Sequence, residues 1–160
     1  MYVVLHKMLH PFILTERCPK RLAQAASLGV YIAFSPFFGL HTVMHFLFGW
    51  LLGLNIPLLL FVGYAINNPW TMVPIYASGY MVGYWIMHTW WMVPLAESNP
   101  VWMHAFNQKL AYYVGMPHVS FWAFMIGANL LGIVLALILY PLFKKMFSYV
   151  LAMQFTKGTV

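Results

Sequence analysis

The chain has 160 residues, of which 63% are hydrophobic and 6% are charged, whereas an ordinary soluble domain is about one quarter charged. Two acidic and eight basic residues are too few to cover the surface of a water-soluble domain of this length, so composition excludes that class. The basic residues that give the net charge of +6 lie at the ends of apolar runs. This placement is typical of cytoplasmic anchors beside anionic lipid and not of a nucleic-acid-binding protein. We therefore expect one membrane domain, with membrane lipids and no nucleic acid as partners.

The first part of the chain mixes apolar positions with charged ones. Residues 1–21 contain two histidines, four basic residues and Glu16. This pattern predicts a cytoplasmic segment that lies at the membrane surface before the chain enters the membrane.

Three apolar pieces follow, and each is short. They are residues 22–35, 40–54 and 58–66, and they end at Ser35-Pro36, at Asn55-Ile56-Pro57 and at Asn67-Asn68-Pro69. A helix rises about 1.5 Å per residue, so the first piece spans only about 21 Å of a hydrocarbon core that is about 30 Å thick, and the other two are also too short. No piece is long enough to be a simple transmembrane helix.

Two longer apolar runs come next, residues 70–93 and 119–143, and Lys144 and Lys145 close the second. Between them, Asn99-Pro100 is a typical helix start, with Asn as the capping side chain. Downstream of it, apolar positions fall near one helical face, opposite His104, Asn107, Gln108 and Lys109. We predict a helix lying in the interface; a short loop helix packed on its own protein is the alternative.

Lysine and arginine cluster at both ends of the sequence. Lys7, Arg17, Lys20 and Arg21 flank the first run, Lys144, Lys145 and Lys157 follow the last, and the middle loop has Lys109 alone. This bias predicts an inner-membrane protein with both termini cytoplasmic and an even number of crossings. The two long runs account for two crossings, so the three short pieces must also supply an even number of crossings. We therefore predict that at least one of them is re-entrant and returns to the side from which it entered.

The predicted fold is therefore all-α and polytopic, with helices broken or re-entrant at two proline breaks, around residues 35–42 and 66–71. Its five parts are an interfacial segment (1–21), a broken-helix core (22–93), an interfacial loop helix (94–118), a transmembrane span (119–143) and a cytoplasmic tail (144–160).

The two breaks resemble each other. Residues 31–37 align with residues 64–70, and each stretch has an upstream glycine, Gly29 or Gly63, and ends in a small polar residue, a proline and an aromatic ring. Paired breaks of this kind are typical of a transporter's midplane site. With Ser35 and Asn68 as caps and the prolines at the first helical positions, each break would present a helix N-terminus, which suits phosphate or carboxylate.

The sequence thus predicts an anionic-ligand site at the breaks and a basic patch beside it. The candidate ligand-binding residues are Ser35, His41, Thr42, Asn67, Asn68 and Thr71. The candidate lipid-headgroup patch is Arg17, Lys20 and Arg21. The alternative is that these residues only anchor the topology of the chain and bind no ligand. The alternative is that the two breaks are ordinary helix caps at the membrane interface.

Several stretches resemble a bacterial membrane family known as domain of unknown function 2062. They are Cys18-Pro19-Lys20-Arg21-Leu22-Ala23, Gly29, Pro36-Phe37-Phe38-Gly39-Leu40-His41-Thr42, Asn55-Ile56-Pro57, Asn68-Pro69-Trp70-Thr71 and Pro74-Ile75-Tyr76, spanning about residues 18–84. One departure is Ala33, where the family usually has glycine. Some members are similar domains fused behind membrane glycosyltransferases that use polyprenyl-phosphate donors. The resemblance implies a lipid-linked sugar context and a membrane glycosyltransferase as a partner, but no activity.

Catalytic patterns are missing from the sequence. It has no paired carboxylates, no activated nucleophile and no phosphate-binding P-loop. His41 and His45 share a helical face, but two histidines make an incomplete metal site. We therefore expect no enzyme, no metal and no cofactor. The leading hypothesis is transport or handling of an anionic lipid-linked ligand, plausibly a polyprenyl phosphate; the alternative is a non-catalytic scaffold that anchors a partner enzyme or forms a homo-oligomer.

Overall fold

The computed structural model describes residues 16–37, 39–91, 99–114 and 119–157, and every regular element in these ranges is a helix. The helices are α1 (Pro19–Phe34), α2 (His41–Leu51), α3 (Ile56–Ile66), α4 (Pro69–Ile86) with a π-helical continuation (Met87–Trp91), α5 (Val101–Val114) and α6 (Phe121–Lys157). The all-α prediction is confirmed. The predictions for residues 1–15, 38, 92–98, 115–118 and 158–160 lie outside the described residues.

The chain divides into two compact units. The first unit comprises Met1–Asn68 and Gly132–Val160, and the second comprises Pro69–Leu131. Helices α1, α2 and α3 belong to the first unit, whereas α4 and α5 belong to the second. The α6 helix contributes its first turns to the second unit and the remainder to the first.

Small residues on α1 set the core of the first unit. Pro19 occupies the first turn of this helix, where a missing backbone N–H costs nothing. The side chains of Leu22, Ala23, Ala26 and Ile32 are buried. Together with Leu58, Leu59, Phe147 and Val150 they form one hydrophobic cluster. The short alanine side chains allow the backbones of α1 and α3 to come close.

The two glycines of the sequence repeat lie at this close approach. A Cβ added at Gly29 would lie 2.9 Å from the carbonyl oxygen of Leu59 and 3.3 Å from the backbone nitrogen of Gly63. No larger residue fits at Gly29 without a shift of backbone. The upstream glycines of the two breaks therefore mark the crossing of α1 and α3.

The turn between α2 and α3 has a defined geometry. Gly53 has φ +58°, a left-handed conformation that glycine adopts without strain. Asn55 caps α3, because its side-chain oxygen accepts a hydrogen bond of 2.9 Å from the backbone N–H of Leu58. Such a cap contributes about 1 kcal/mol. Asn55 therefore begins a helix as well as ending the preceding apolar piece.

The first break differs from its prediction. Ser35 is the C-cap of α1, with its backbone N–H donating to the carbonyl of Ile32, and α2 begins only at His41. Pro36 is therefore not a first helical position, and Ser35 does not cap the second helix; those two predictions are wrong. Between the two helices the chain turns through Gly39, which has φ +80°. The sequence pattern did not reveal this intervening turn.

The second break lies where the sequence predicts it, and the capping of α4 by Asn68 stays a prediction. The α3 helix ends at Ile66, Asn67 is its C-cap, and α4 begins at Pro69 as expected of a proline in the first turn. The amide of Asn68 donates a hydrogen bond of 3.2 Å to the carbonyl oxygen of Ala65. Asn68 thus helps to terminate α3.

In the second unit, α4 packs closely against the start of α6. Gly79 and Gly83 are both buried, and a Cβ at Gly79 would lie 3.0 Å from the Cβ of Ala128. Gly83 faces the backbones of Ala123 and Gly127. Small residues four apart allow helices to approach each other in this way. This glycine pair makes an intramolecular contact.

Two buried asparagines hold the start of α6. Asn99 accepts a hydrogen bond of 2.8 Å from the N–H of Phe121 and donates one of 3.1 Å to the carbonyl of Val119. Asn107 bonds both backbone groups of Val119, at 3.0 and 3.2 Å. Asn99 was predicted to cap the helix that follows it, and Asn107 was placed on the polar face of that helix. Instead, both side chains are buried, and they form hydrogen bonds with backbone groups just before and at the start of α6.

The α6 helix is longer than its apolar run. It continues through the exposed Lys144 and Lys145 to Lys157, so the helix extends beyond residue 143, where the predicted transmembrane span ends. Its stretch Phe121–Met153 has mean hydropathy 2.3 and is long and apolar enough to cross a membrane. Among the described residues a second span exists only if Ile56–Ile66 and Pro69–Thr89 count as one broken span. The number of crossings and the orientation stay predictions.

Candidate functional site

The first break brings Ser35 and His41 into contact. Ser35 is fully buried, and its carbonyl oxygen accepts a hydrogen bond of 3.0 Å from Nε2 of His41. Because a carbonyl oxygen only accepts, Nε2 of His41 carries the proton. The hydroxyl of Ser35 accepts weakly from the N–H of Phe37 at 3.5 Å and lies 3.7 Å from the sulfur of Met44. His41 thus holds the first break against the end of α1.

His45 extends this arrangement by one helical turn. Its Nδ1 donates to the carbonyl oxygen of His41, which leaves Nε2 as the unprotonated nitrogen. Nε2 is buried, has no hydrogen-bond partner among the described residues and lies against the backbone of Gly63. The two histidines therefore contact different carbonyls and do not point at a common metal position.

Tyr64 joins α2 to α3 and was missed as a site residue. Its hydroxyl is 2.5 Å from Oγ1 of Thr42, and its ring stacks on the imidazole of His45 with 5.6 Å between centroids and 19° between planes. We call Ser35, His41, Thr42, His45 and Tyr64 the break cluster. The repeat that aligns Tyr31 with Tyr64 was the available sequence signal.

The remaining predicted residues lie at the second break. Asn67 and Asn68 follow α3 and are half-buried, three and four residues after Tyr64. Thr71 is half-buried on the first turn of α4, in the other unit. The first unit thus contains five of the six predicted ligand-binding residues.

The predicted headgroup patch lies at the start of α1. Arg17, Lys20 and Arg21 are all exposed. The guanidinium of Arg21 donates a hydrogen bond of 3.0 Å to the carbonyl of Gly53, which ties the α2–α3 turn to α1. Arg21 therefore has a structural contact besides its charge.

A groove beside Arg21 was not predicted. It has a volume of about 430 Å³ within the first unit. Its lining includes Gln24, Ser27, Tyr31, Leu54, Leu137 and Tyr140. We call it the α1 groove. None of the six predicted ligand-binding residues lines it. Its polar members lie within apolar runs, and no sequence pattern distinguishes them there.

The described residues thus define an all-helical protein with one helix able to span a membrane and a polar cluster where short apolar helices break. The chain matches, over residues 3–154, the family described as "Uncharacterized protein conserved in bacteria (DUF2062)". It belongs to that family, and the match extends well beyond residues 18–84, where the resemblance was first apparent. No curated protein and no solved structure matched the chain.

Proposed function

We propose that the protein is a multi-pass inner-membrane protein, with both termini cytoplasmic, that transports or handles an anionic lipid-linked ligand of the polyprenyl-phosphate type. The observation that supports this proposal is the convergence of the break cluster. Residues from the end of α1, from α2 and from α3 meet through Ser35, His41 and Tyr64 in a chain that is 6% charged.

Burying polar groups costs free energy. Their convergence in an otherwise apolar chain therefore favours a functional role. A buried polar atom without a partner costs about 1–3 kcal/mol, and His45 has such an atom in Nε2. In a membrane, backbone that leaves the helix survives only where protein or water shelters it. Ionisable groups in such a place are candidates for function by default.

The ends of the broken helices supply the preference for an anion. The N-cap of α2 is Leu40, whose side chain makes no capping hydrogen bond, and no acidic residue occupies the first turn. A helix N-terminus carries about half a positive charge. This positive end of α2 favours a phosphate over a neutral headgroup.

The test is mass spectrometry of lipids that co-purify with the chain in mild detergent. Wild type is compared with His41→Ala and Asn68→Ala. The matched controls are His104→Ala, an exposed histidine on α5, and Asn129→Ala, whose amide donates to the carbonyl of Met125 as that of Asn68 does to Ala65. Thermal unfolding of all five proteins checks that they fold.

We expect wild type and both controls to retain a phosphate-bearing lipid. The two break variants should retain about tenfold less, because each loses the side-chain bond that holds its break in place, to the carbonyl of Ser35 or of Ala65. Equal lipid retention by wild type and both break variants contradicts the proposal, and so does a wild type that retains no anionic lipid.

A specific observation favours the alternative, a scaffold for a partner such as a membrane glycosyltransferase or a second copy of the chain. One face of α2 is apolar and exposed at helical spacing. It comprises Val43, Phe46, Leu47, Trp50 and Leu51, each at least half exposed. A face of this kind packs against lipid or against another helix.

Photocrosslinking in membranes separates these two functions. A photoreactive residue is placed at Phe46, with Ile138, an exposed position on α6 in the same unit, as the control. A scaffold gives a discrete protein adduct at Phe46 and none at Ile138. The lipid-handling proposal predicts lipid adducts at both positions and no protein adduct.

A further inference from the structure

The α1 groove has one apolar wall and one row of polar side chains. On α1, Gln24, Ser27 and Tyr31 line it at the spacing of one helical face, and Leu54 and Leu137 supply apolar surface. Its volume of about 430 Å³ is at the lower end of the range for small-molecule pockets, about 300–1,000 Å³. The groove therefore has room for one hydrocarbon chain and not for a whole lipid.

Positive charge lies at one end of the groove. Arg21 precedes Gln24 by three residues on α1, so the two side chains share a face. Arg21 also bonds the carbonyl of Gly53, between the groove residues Leu52 and Leu54. A guanidinium has five N–H donors, so one bond to Gly53 leaves further donors for a phosphate.

The acidic residue Glu16 lies near the same turn. It lines a separate cavity of about 320 Å³ with residues 53–57, and one of its carboxylate oxygens accepts from the N–H of Cys18 at 3.0 Å. A carboxylate here opposes an anion, whereas Lys20 and Arg21 favour one. Removing the negative charge of Glu16 and removing the positive charge of Arg21 should therefore have opposite effects on the binding of an anion.

Ser27 is the second indication of a ligand. Only 7% of this residue is exposed, and its hydroxyl has no hydrogen-bond partner among the described residues. Buried hydroxyls in folded proteins normally have partners. Because Ser27 lines the groove, a polar atom of a ligand bound there is a suitable partner.

We propose that the α1 groove binds one hydrocarbon chain of an anionic phosphate lipid, whose phosphate is held by Arg21 and Gln24. This inference rests on the proposed function and adds a binding position that the breaks do not include. The occupant is a lipid because the wall is apolar, and it is anionic because Arg21 lies at the end of the groove.

The test is native mass spectrometry of the full chain in detergent, titrated with three probes. The probes are a long-chain prenyl phosphate, phosphatidylglycerol and phosphatidylethanolamine. Leu137→Trp fills the groove, and its matched control is Ile138→Trp, the next residue on α6, which does not line the groove; both positions are more than half exposed. Arg21→Gln and Glu16→Gln test the charges.

We expect wild type and Ile138→Trp to bind prenyl phosphate or phosphatidylglycerol, and phosphatidylethanolamine more weakly. Which of the two anionic probes binds tighter identifies the lipid. Leu137→Trp and Arg21→Gln should each weaken binding by about tenfold. Glu16→Gln should strengthen it, because a like charge is removed.

Two results overturn the groove assignment while leaving the proposed function intact. One is undiminished binding by Leu137→Trp when His41→Ala abolishes binding. The other is an equal loss in Leu137→Trp and Ile138→Trp. A wild type that binds no anionic probe, or that binds phosphatidylethanolamine equally well, overturns both the groove assignment and the proposed function.

Discussion

The imidazole of His45 occupies the space that a side chain at Gly63 would need. A Cβ built on Gly63 would collide with Nε2, Cε1 and Cδ2 of that ring. The same glycine lies opposite Gly29 at the crossing of α1 and α3. Gly63 thus serves the packing of α1 and α3 and the position of a buried histidine at once.

We therefore predict that Gly63→Ala displaces His45 and lowers the free energy of unfolding by about 1–3 kcal/mol, the usual cost of overpacking. Thermal unfolding in detergent measures the change. In a His45→Ala background the same substitution should cost clearly less, since the ring that it meets is gone. Additive costs in this double-mutant cycle would show that the glycine is required for the α1–α3 contact alone.

The asparagine pair before α6 gives a second prediction. Asn107→Ala removes the partner of the Val119 N–H and one of the two side-chain donors to the Val119 carbonyl, so stability should fall by about 1–3 kcal/mol. Gln108→Ala, at an exposed neighbouring position, should change stability by less than about 0.5 kcal/mol. Chemical unfolding of the two variants checks both values. Equal effects would contradict the role assigned to Asn107.

The helices themselves were predictable because apolar runs and breakers are local signals. Pro69 after two asparagines ends one helix and begins another in both the sequence and the structure. Ser35-Pro36 misled because the same signals fit the end of a helix as well as the start of one. Only the turn through Gly39, which delays α2 to His41, decides between them.

The candidate site was predictable in part. Residues next to the breaks, such as His41 and Thr42, follow from their polarity in an apolar chain. Tyr64 and Ser27 do not, since a tyrosine or serine within an apolar helix looks like any other until the neighbouring helix is known. Their roles come from packing between helices that are distant in sequence.

Tyr64→Phe tests the link between α2 and α3. The substitution keeps the ring that stacks on His45 and removes the hydroxyl bonded to Thr42, so we expect a loss of about 0.5–1.5 kcal/mol. Thr42→Val should cost a similar amount, and the double variant should cost little more than either single one. Thermal unfolding of the three variants measures the coupling. Full additivity would contradict a direct bond.

The orientation of the chain has a test that uses its one cysteine. Cys18 is exposed, and the basic residues around it predict a cytoplasmic position. A membrane-impermeant maleimide should label it in inverted inner-membrane vesicles and not in intact spheroplasts. In a Cys18→Ser background, Lys145→Cys should show the same pattern, because both termini are proposed to be cytoplasmic. Labelling of either site in spheroplasts would contradict this topology.

In the proposed function the protein binds a lipid through its phosphate. The most direct measurement compares the affinity of the wild-type chain for a long-chain prenyl phosphate with that for the corresponding prenol, which has the same hydrocarbon chain and no phosphate. We expect the prenyl phosphate to bind tighter by about tenfold or more, since each charge-assisted hydrogen bond contributes about 1.5–3 kcal/mol. Equal affinities for the two compounds would contradict it.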